Sequence, residues 1–155
     1  MKVERRDVLK VGGGAAVYSA LASMGFFAAN PAMASWNKDW FATKSIADTL
    51  KAMGVGSTTE SSEINITSPD IAENGAVVPV GVASNLPQTQ MVAVMVEKNP
   101  AMMAGFFEFT DNAVPDVSMR VKMGQSSDVY ALVKADGKFY MAKKEIKVTL
   151  GGCGG

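Results

Sequence analysis

The chain has 155 residues, of which 15 are basic and 15 acidic, with one cysteine and no histidine. The missing histidine excludes Ser-His and Cys-His nucleophile pairs, histidine metal sites and imidazole acid/base chemistry. One cysteine excludes an internal disulfide, and balanced charge gives no electrostatic case for nucleic acid or anionic lipid.

Arg5 and Arg6 precede an apolar run over residues 11–29, which closes on Ala32-Met33-Ala34. A positive start, an apolar core and an A-x-A cleavage site in that order describe an export signal. The paired arginines, with Gly12, Gly13 and Gly14 lowering the hydropathy of the run, give it the character of a twin-arginine (Tat) signal. Glu4 and Val8 depart from that pattern. The run is almost long enough to span a bilayer, so an uncleaved anchor is the other reading. The expected organisation starts with a signal over residues 1–34 and places the protein in the periplasm. Removing it takes away four bases and two acids, leaving 11 basic against 13 acidic residues in a mature chain of 121 residues. That length buries a core without disulfides.

Residues 36–53 carry Phe41, Ile46, Leu50 and Met53 at helical spacing, and Gly54 and Gly56 stop the pattern. A helix followed by a polar linker over residues 57–62 is expected, so residues 35–62 form an N-terminal helix and linker. Residues 63–67 alternate as a strand, Ser68-Pro69-Asp70 turns, and residues 71–75 read as a loop. Residues 76–83 are rich in valine, but Pro79 cannot donate to a ladder, which predicts an edge or bulged strand. Further strands are expected at residues 91–96, 105–109, 116–123 and 128–134. Asp136-Gly137 signals a hairpin into a strand at residues 138–142, and a last strand follows at residues 145–150, where Ile146, Val148 and Leu150 share one face.

Seven or eight short strands at this spacing predict an all-β fold, an immunoglobulin-like antiparallel β-sandwich over residues 63–150, without a Cys…Trp…Cys signature. Residues 91–96 and 129–133 are apolar on both faces, which a sandwich layer with one solvated side does not need. The extra face is expected to be a subunit interface, the alternative being a cover by the N-terminal helix.

The chain closes on Gly151-Gly152-Cys153-Gly154-Gly155. A core cysteine sits among apolar neighbours in a regular element, whereas glycines bury nothing and lose the most backbone entropy on ordering. The last five residues therefore read as a mobile arm presenting one thiol, slender enough to enter a narrow cleft. In an oxidising compartment such a leftover thiol is intermolecular or reactive. No His, CxxC partner or adjacent Lys lowers its pKa, and the nearby terminal carboxylate opposes a second negative charge. Activation is then expected from whatever enzyme accepts the arm.

Other groups give weaker signals. Lys134, Lys138, Lys143, Lys144 and Lys147 could attract anions, or could be the solvated guard of edge strands. The eleven methionines read as core and surface packing rather than soft-metal ligands, and Asp111 and Asp116 as turn residues.

Residues 60–64, 69–80, 96–100 and above all the ending Lys144-Glu145-Ile146-Lys147-Val148-Thr149-Leu150-Gly151-Gly152-Cys153-Gly154-Gly155 closely resemble the SoxY family, the sulfur-carrier subunits of the bacterial thiosulfate-oxidising Sox system. The resemblance implies a non-enzymatic carrier with no cofactor, paired with SoxZ in a SoxYZ heterodimer of immunoglobulin-like subunits. It further implies that Cys153 is joined oxidatively to thiosulfate by the haem enzyme SoxAX. SoxB then hydrolyses off sulfate, and SoxCD, where present, oxidises the remaining sulfane sulfur. Two other classes stay open: a ubiquitin-like Gly-Gly sulfur carrier, which an export signal disfavours because adenylation needs cytoplasmic ATP, and an immunoglobulin-like interaction domain with a disulfide-forming tail.

Overall fold

The structure, a computed structural model, describes residues 37–149. The chain divides into units Met1–Trp36 and Asn37–Gly155, and every described residue belongs to the second. Where one helix was expected, there are two. Helix α1 (Lys38–Ala42) is capped by Asn37, whose side chain accepts from the Asp39 N–H at 3.0 Å. Helix α2 (Ile46–Ala52) is capped by Ser45, whose Oγ accepts from the Asp48 N–H at 3.0 Å. The break between them comes from Thr43 and Ser45. Both are extended, and a serine that bonds a backbone N–H three residues on starts a helix better than it continues one. The fully buried Thr49 ties the break together, donating from Oγ1 to the Ser45 carbonyl at 2.9 Å and sharing a 2.6 Å bond with Thr43 Oγ1. Gly54, at φ +72, ends α2 in a Schellman motif, with Val55 N–H donating to the Leu50 carbonyl and Gly54 N–H to that of Lys51.

Nine strands follow among the described residues: β1 (Thr59–Glu60), β2 (Ile64–Thr67), β3 (Ile71–Ala72), β4 (Val78–Ser84), β5 (Thr89–Val96), β6 (Met103–Glu108), β7 (Asp116–Val121), β8 (Ser127–Ala135) and β9 (Lys138–Val148). The larger sheet has the order β1-β9-β8-β5-β6, with β3 also on β9, and the smaller has the order β2-β4-β7. The inward faces alternate along each strand. Val78, Val80 and Val82 of β4 meet Val92, Val94 and Val96 of β5, with Val129, Ala131 and Val133 of β8 and Ile146 of β9. Valine on a pleated, closely packed surface keeps its preferred rotamer, so the core forms at small entropic cost. The all-β sandwich expected from the sequence is the observed architecture.

Four details differ from the sequence reading. The two strands expected at residues 138–142 and 145–150 are one 11-residue strand, β9, paired along its length with β8 from Ala135↔Lys138 to Ser127↔Ile146. Asp136 (φ +48) and Gly137 (φ +69) make the tight turn, both left-handed as a two-residue hairpin demands. The sandwich is not wholly antiparallel. The expected linker and loop each supply a two-residue strand, β1 and β3, that runs parallel to β9. Strand β4 is central rather than an edge, between β2 and β7. Pro79 is tolerated because β2 stops at Thr67↔Gly81, so Pro79 stands beyond its end and pairs only toward Arg120 of β7.

The second apolar face belongs to the helices. Met91, Ala93, Met95, Met103 and Leu132 on the outer side of the large sheet pack with Trp40, Phe41, Ile46, Leu50 and Met53, and the Trp40 ring lies 4.9 Å from that of Phe106. The expected subunit interface is therefore an intramolecular cover. Trp40 also donates from Nε1 to the Ala52 carbonyl at 3.0 Å, which locks α1 onto α2.

Candidate functional site: the root of the C-terminal arm

The predicted attachment residue Cys153 and the arm glycines Gly151, Gly152, Gly154 and Gly155 lie outside the described residues, as do Arg5 and Arg6 of the signal. What the structure shows is the platform on which the described chain ends at Thr149. The pairing with β8 ends at Ser127↔Ile146, so the last residues of β9, Lys147 and Val148, have no β8 strand beside them. The side chain of Ser126 takes that place: its Oγ accepts from the Val148 N–H at 2.9 Å and lies 3.5 Å from the Val148 carbonyl oxygen. On the other edge β3 runs alongside, with Lys147 N–H donating to the Asp70 carbonyl at 2.9 Å and Thr149 N–H to the Ala72 carbonyl at 3.1 Å. Thr149 is the last backbone anchor among the described residues.

Beside this clamp the chain comes into close approach at Gly75. Its carbonyl accepts from the Met123 N–H at 2.7 Å. A Cβ at Gly75 would sit 2.3 Å from the Met123 carbonyl oxygen and 2.8 Å from Val148 Cγ1, so only glycine fits. Lys144 braces the loop before β3, donating from Nζ to the Ser68 carbonyl at 2.8 Å and pairing with Asp70 Oδ1 at 3.0 Å.

Of the five lysines flagged in the sequence, Lys147 alone stands at this root exposed and outside any ion pair among the described residues. Lys144 is spent on the loop, and Lys143 pairs with Asp128 Oδ2 at 3.0 Å. The hydrogen bond that Lys143 donates to Asp128, followed by the Asp128 charge, raises the Lys143 pKa above the usual value of 10.5. Burial, then the charge of Glu97, raises that of Tyr130 above 10.0. Lys134 lies 5.8 Å above the Phe139 ring, and with Lys138 it stands at the far end of β9. Methionines 95, 102 and 123 are fully buried packing residues, while Asp111 and Asp116 sit exposed beside the turn before β7. Among the described residues no group of three or more His, Cys, Asp or Glu side chains could hold a metal ion.

A cavity of about 610 Å³ lies between Ser84, Thr89, Phe109 and Pro115. Thr89 pairs with Ala135, which pairs with Lys138, so this cavity is at the opposite end of β9 from Val148. Ten residues of strand separate Lys138 from Val148, roughly 33 Å. Five residues of fully extended chain from Val148 reach at most about 18 Å. The cavity is thus beyond the reach of Cys153, whereas the face around Ile71 and Val77, two of the exposed large apolar side chains, adjoins the clamp.

Sequence reasoning pointed to Cys153, which lies outside the described residues, and gave no role to the residues of the clamp ahead of it. Ser126 lies outside every stretch that carries the resemblance, while Asp70, Ala72 and Gly75 lie inside residues 69–80 with no role assigned to them, and Gly75 reads as an ordinary turn glycine until Val148 and Met123 are seen against it.

A family model described as "Sulfur oxidation protein SoxY" matches residues 50–153, a span that ends on Cys153. Among solved structures, the sulfur carrier protein SoxY from Chlorobium limicola f thiosulfatophilum is 35% identical, with a TM-score of 0.64 over 70% of this chain and 95% of that one. Superoxide reductase (Neelaredoxin) from Ignicoccus hospitalis is 24% identical, with a TM-score of 0.50 over 56% of this chain and 80% of that one, a likeness of fold alone. No curated protein sequence matches. With the family model covering two thirds of its length and a SoxY structure matching nearly end to end, the chain belongs to the SoxY family of sulfur oxidation proteins.

Proposed function

We propose that this SoxY-family carrier works in the periplasm after Tat export and holds thiosulfate-derived intermediates covalently on Cys153. The observation that supports it best is the family match running to Cys153, the only thiol of the chain, four residues beyond a backbone anchor built by β3 and Ser126. In this reading residues 1–34 are removed, residues 63–150 are the body, and Gly151 to Gly155 form the arm.

The chemistry requires partners. Joining the thiol to thiosulfate gives a cysteine S-thiosulfonate and releases one proton and two electrons, which a redox enzyme of the SoxAX type must accept. Hydrolysis by a SoxB-type enzyme then breaks the bond to the terminal sulfonate sulfur. Water supplies the oxygen of the departing sulfate, and a persulfide remains on Cys153. Further oxidation of that sulfur falls to SoxCD where it is present, and the body pairs with SoxZ. A thiol without a local activator suits an attachment point that visits several active sites. Tethering keeps each intermediate at high effective concentration.

Two measurements test this. Intact-mass spectrometry of protein isolated from sulfur-oxidising cells is expected to show reductant-sensitive sulfur and sulfur-oxygen additions on Cys153, whereas adducts confined to Gly155 would instead indicate a ubiquitin-like carrier. Cys153→Ser is expected to abolish thiosulfate oxidation in a reconstituted Sox system while preserving the fold. Full activity in that variant would end the carrier reading.

A further inference from the structure

The end of the sandwich opposite Thr149 carries a feature that the carrier reading leaves unused, the cavity of about 610 Å³ between the β4–β5 loop and the β6–β7 loop. Its volume falls within the about 300–1,000 Å³ of small-molecule sites. Its walls are held in place by the protein itself. The buried Ser84 shares a 2.8 Å bond between its Oγ and Thr89 Oγ1 and accepts from the Leu86 N–H at 3.3 Å. Ser84 N–H donates to the Pro115 carbonyl at 3.0 Å, and Phe109 N–H to that of Gln90 at 2.9 Å. A preformed site loses little affinity to loop ordering.

Backbone strain gathers at the same place. Among the described residues, the non-glycine residues with left-handed backbone are Gln88 (φ +52), Asn112 (φ +70) and Asp136 (φ +48). The β8–β9 turn accounts for Asp136, whereas Gln88 and Asn112 both line the cavity. Residues held in that region cluster at ligand clamps.

The lining says what fits there. Nine side-chain amides occur among the described residues, and those of Asn37, Asn74 and Asn99 bond to backbone. Of the six that make no hydrogen bond among the described residues, Asn85, Gln88, Gln90 and Asn112 line this one cavity. An unbonded amide offers a donor and an acceptor side by side. No lysine or arginine lines the cavity, so an anion finds no counter-charge, and one carboxylate, Asp111, is too few for a metal ion. Leu86, Phe109 and Pro115, all half-buried, add an apolar wall. The matching ligand is neutral, carries several groups that both donate and accept, and presents one face of C–H bonds. A pyranose sugar has all three properties.

We propose that this cavity binds a neutral saccharide, its hydroxyls held by the free amides of Asn85, Gln88, Gln90 and Asn112 and its ring face packed on Phe109. Because the cavity is at the opposite end of β9 from Val148, an occupant leaves the Thr149 end open. The site stands independently of the carrier reading.

Amide NMR titration of the purified protein with maltose and with di-N-acetylchitobiose tests it. Saturable shifts confined to the two loops, with a Kd of about 1 mM or tighter for at least one of the sugars, are expected. Asn85→Ala and Asn112→Gly, from opposite walls, are each expected to weaken binding about three- to tenfold. Both side chains are exposed and glycine adopts φ +70 freely, so the fold is preserved. Asn65→Ala, which removes an exposed amide outside the cavity, should leave the affinity unchanged. Loops that neither sugar shifts overturn the proposal. So does saturable binding indifferent to both cavity substitutions, which uses another surface, and so does sodium sulfate shifting the same loops as strongly as the sugars, which makes the cavity an anion site.

Discussion

Replacing Gly75 by alanine tests whether the clamp at the root of the arm is as tight as the geometry says. The added methyl would sit 2.3 Å from the Met123 carbonyl oxygen and 2.8 Å from Val148 Cγ1, both under the 3.0 Å that real Cβ atoms respect. The nearer atom is backbone, so rotamer changes cannot relieve it and the two segments must part. Overpacking of this kind costs about 1–3 kcal/mol. Weakening the 2.7 Å bond from Met123 N–H to the Gly75 carbonyl adds about 0.5–1.5 kcal/mol. The lost freedom of the unfolded chain returns about 0.4–1 kcal/mol. The net destabilisation is about 2 kcal/mol, roughly 8 °C in Tm for a domain of this size. Gly124→Ala is the matched control: nothing lies within 4 Å of its Cβ position and its φ is not positive, so it should stay close to wild type. Urea and thermal denaturation measure both variants, and hydrogen exchange at Thr149 reports whether the anchor to Ala72 loosens. If Gly75→Ala is as stable as Gly124→Ala, the close approach at the arm root is not real.

Ser126→Ala removes the hydroxyl that stands in for β8 beside Val148, and a loss of about 1–2 kcal/mol with faster exchange at Val148 is expected; unchanged exchange would show that β3 alone holds the root. Trp40→Ala uncovers the outer face around Met95 and Leu132 and breaks the tie to Ala52, so about 2–3 kcal/mol of stability should be lost and a hydrophobic dye should bind. Alkaline titration follows from Lys143 and Tyr130, whose folded pKa values both lie above the ordinary 10.5 and 10.0. Because the folded state holds these protons more tightly, their contribution is complete below about pH 10 and is lost as pH rises through the folded values. Tyr130→Phe should flatten that alkaline decline, measured as urea midpoints against pH, and an unaltered slope would remove Tyr130 from the account.

The parts of the fold legible in the sequence are those written in local periodicity. The alternation through Ile146 and Val148, the Asp136-Gly137 turn and the doubly apolar runs in β5 and β8 each mark a real element. What escaped the sequence depends on partners distant along the chain. Two-residue parallel strands such as β1 and β3 are too short to show a period, and exist only because β9 offers its free edge. Pro79 was misleading because its tolerance depends on where β2 stops. The doubly apolar strands announced a covering layer without naming it, and only the placement of Trp40 against Phe106 identifies the helices as that layer. At the site, a lone cysteine among glycines is visible in the composition, whereas the Ser126 clamp is a tertiary substitution of side chain for backbone.

The eleven residues of β9 also set how the molecule carries a pull on its C-terminus. A pull on the chain at Thr149 applies force along β9, at right angles to most of the hydrogen bonds that join it to β8 on one side and to β1 and β3 on the other. Such a load shears the whole ladder at once instead of peeling it bond by bond. Under the proposed carrier function the strand would serve as a mechanical tether, because a load at the Thr149 end meets the whole ladder and does not unzip the domain behind it.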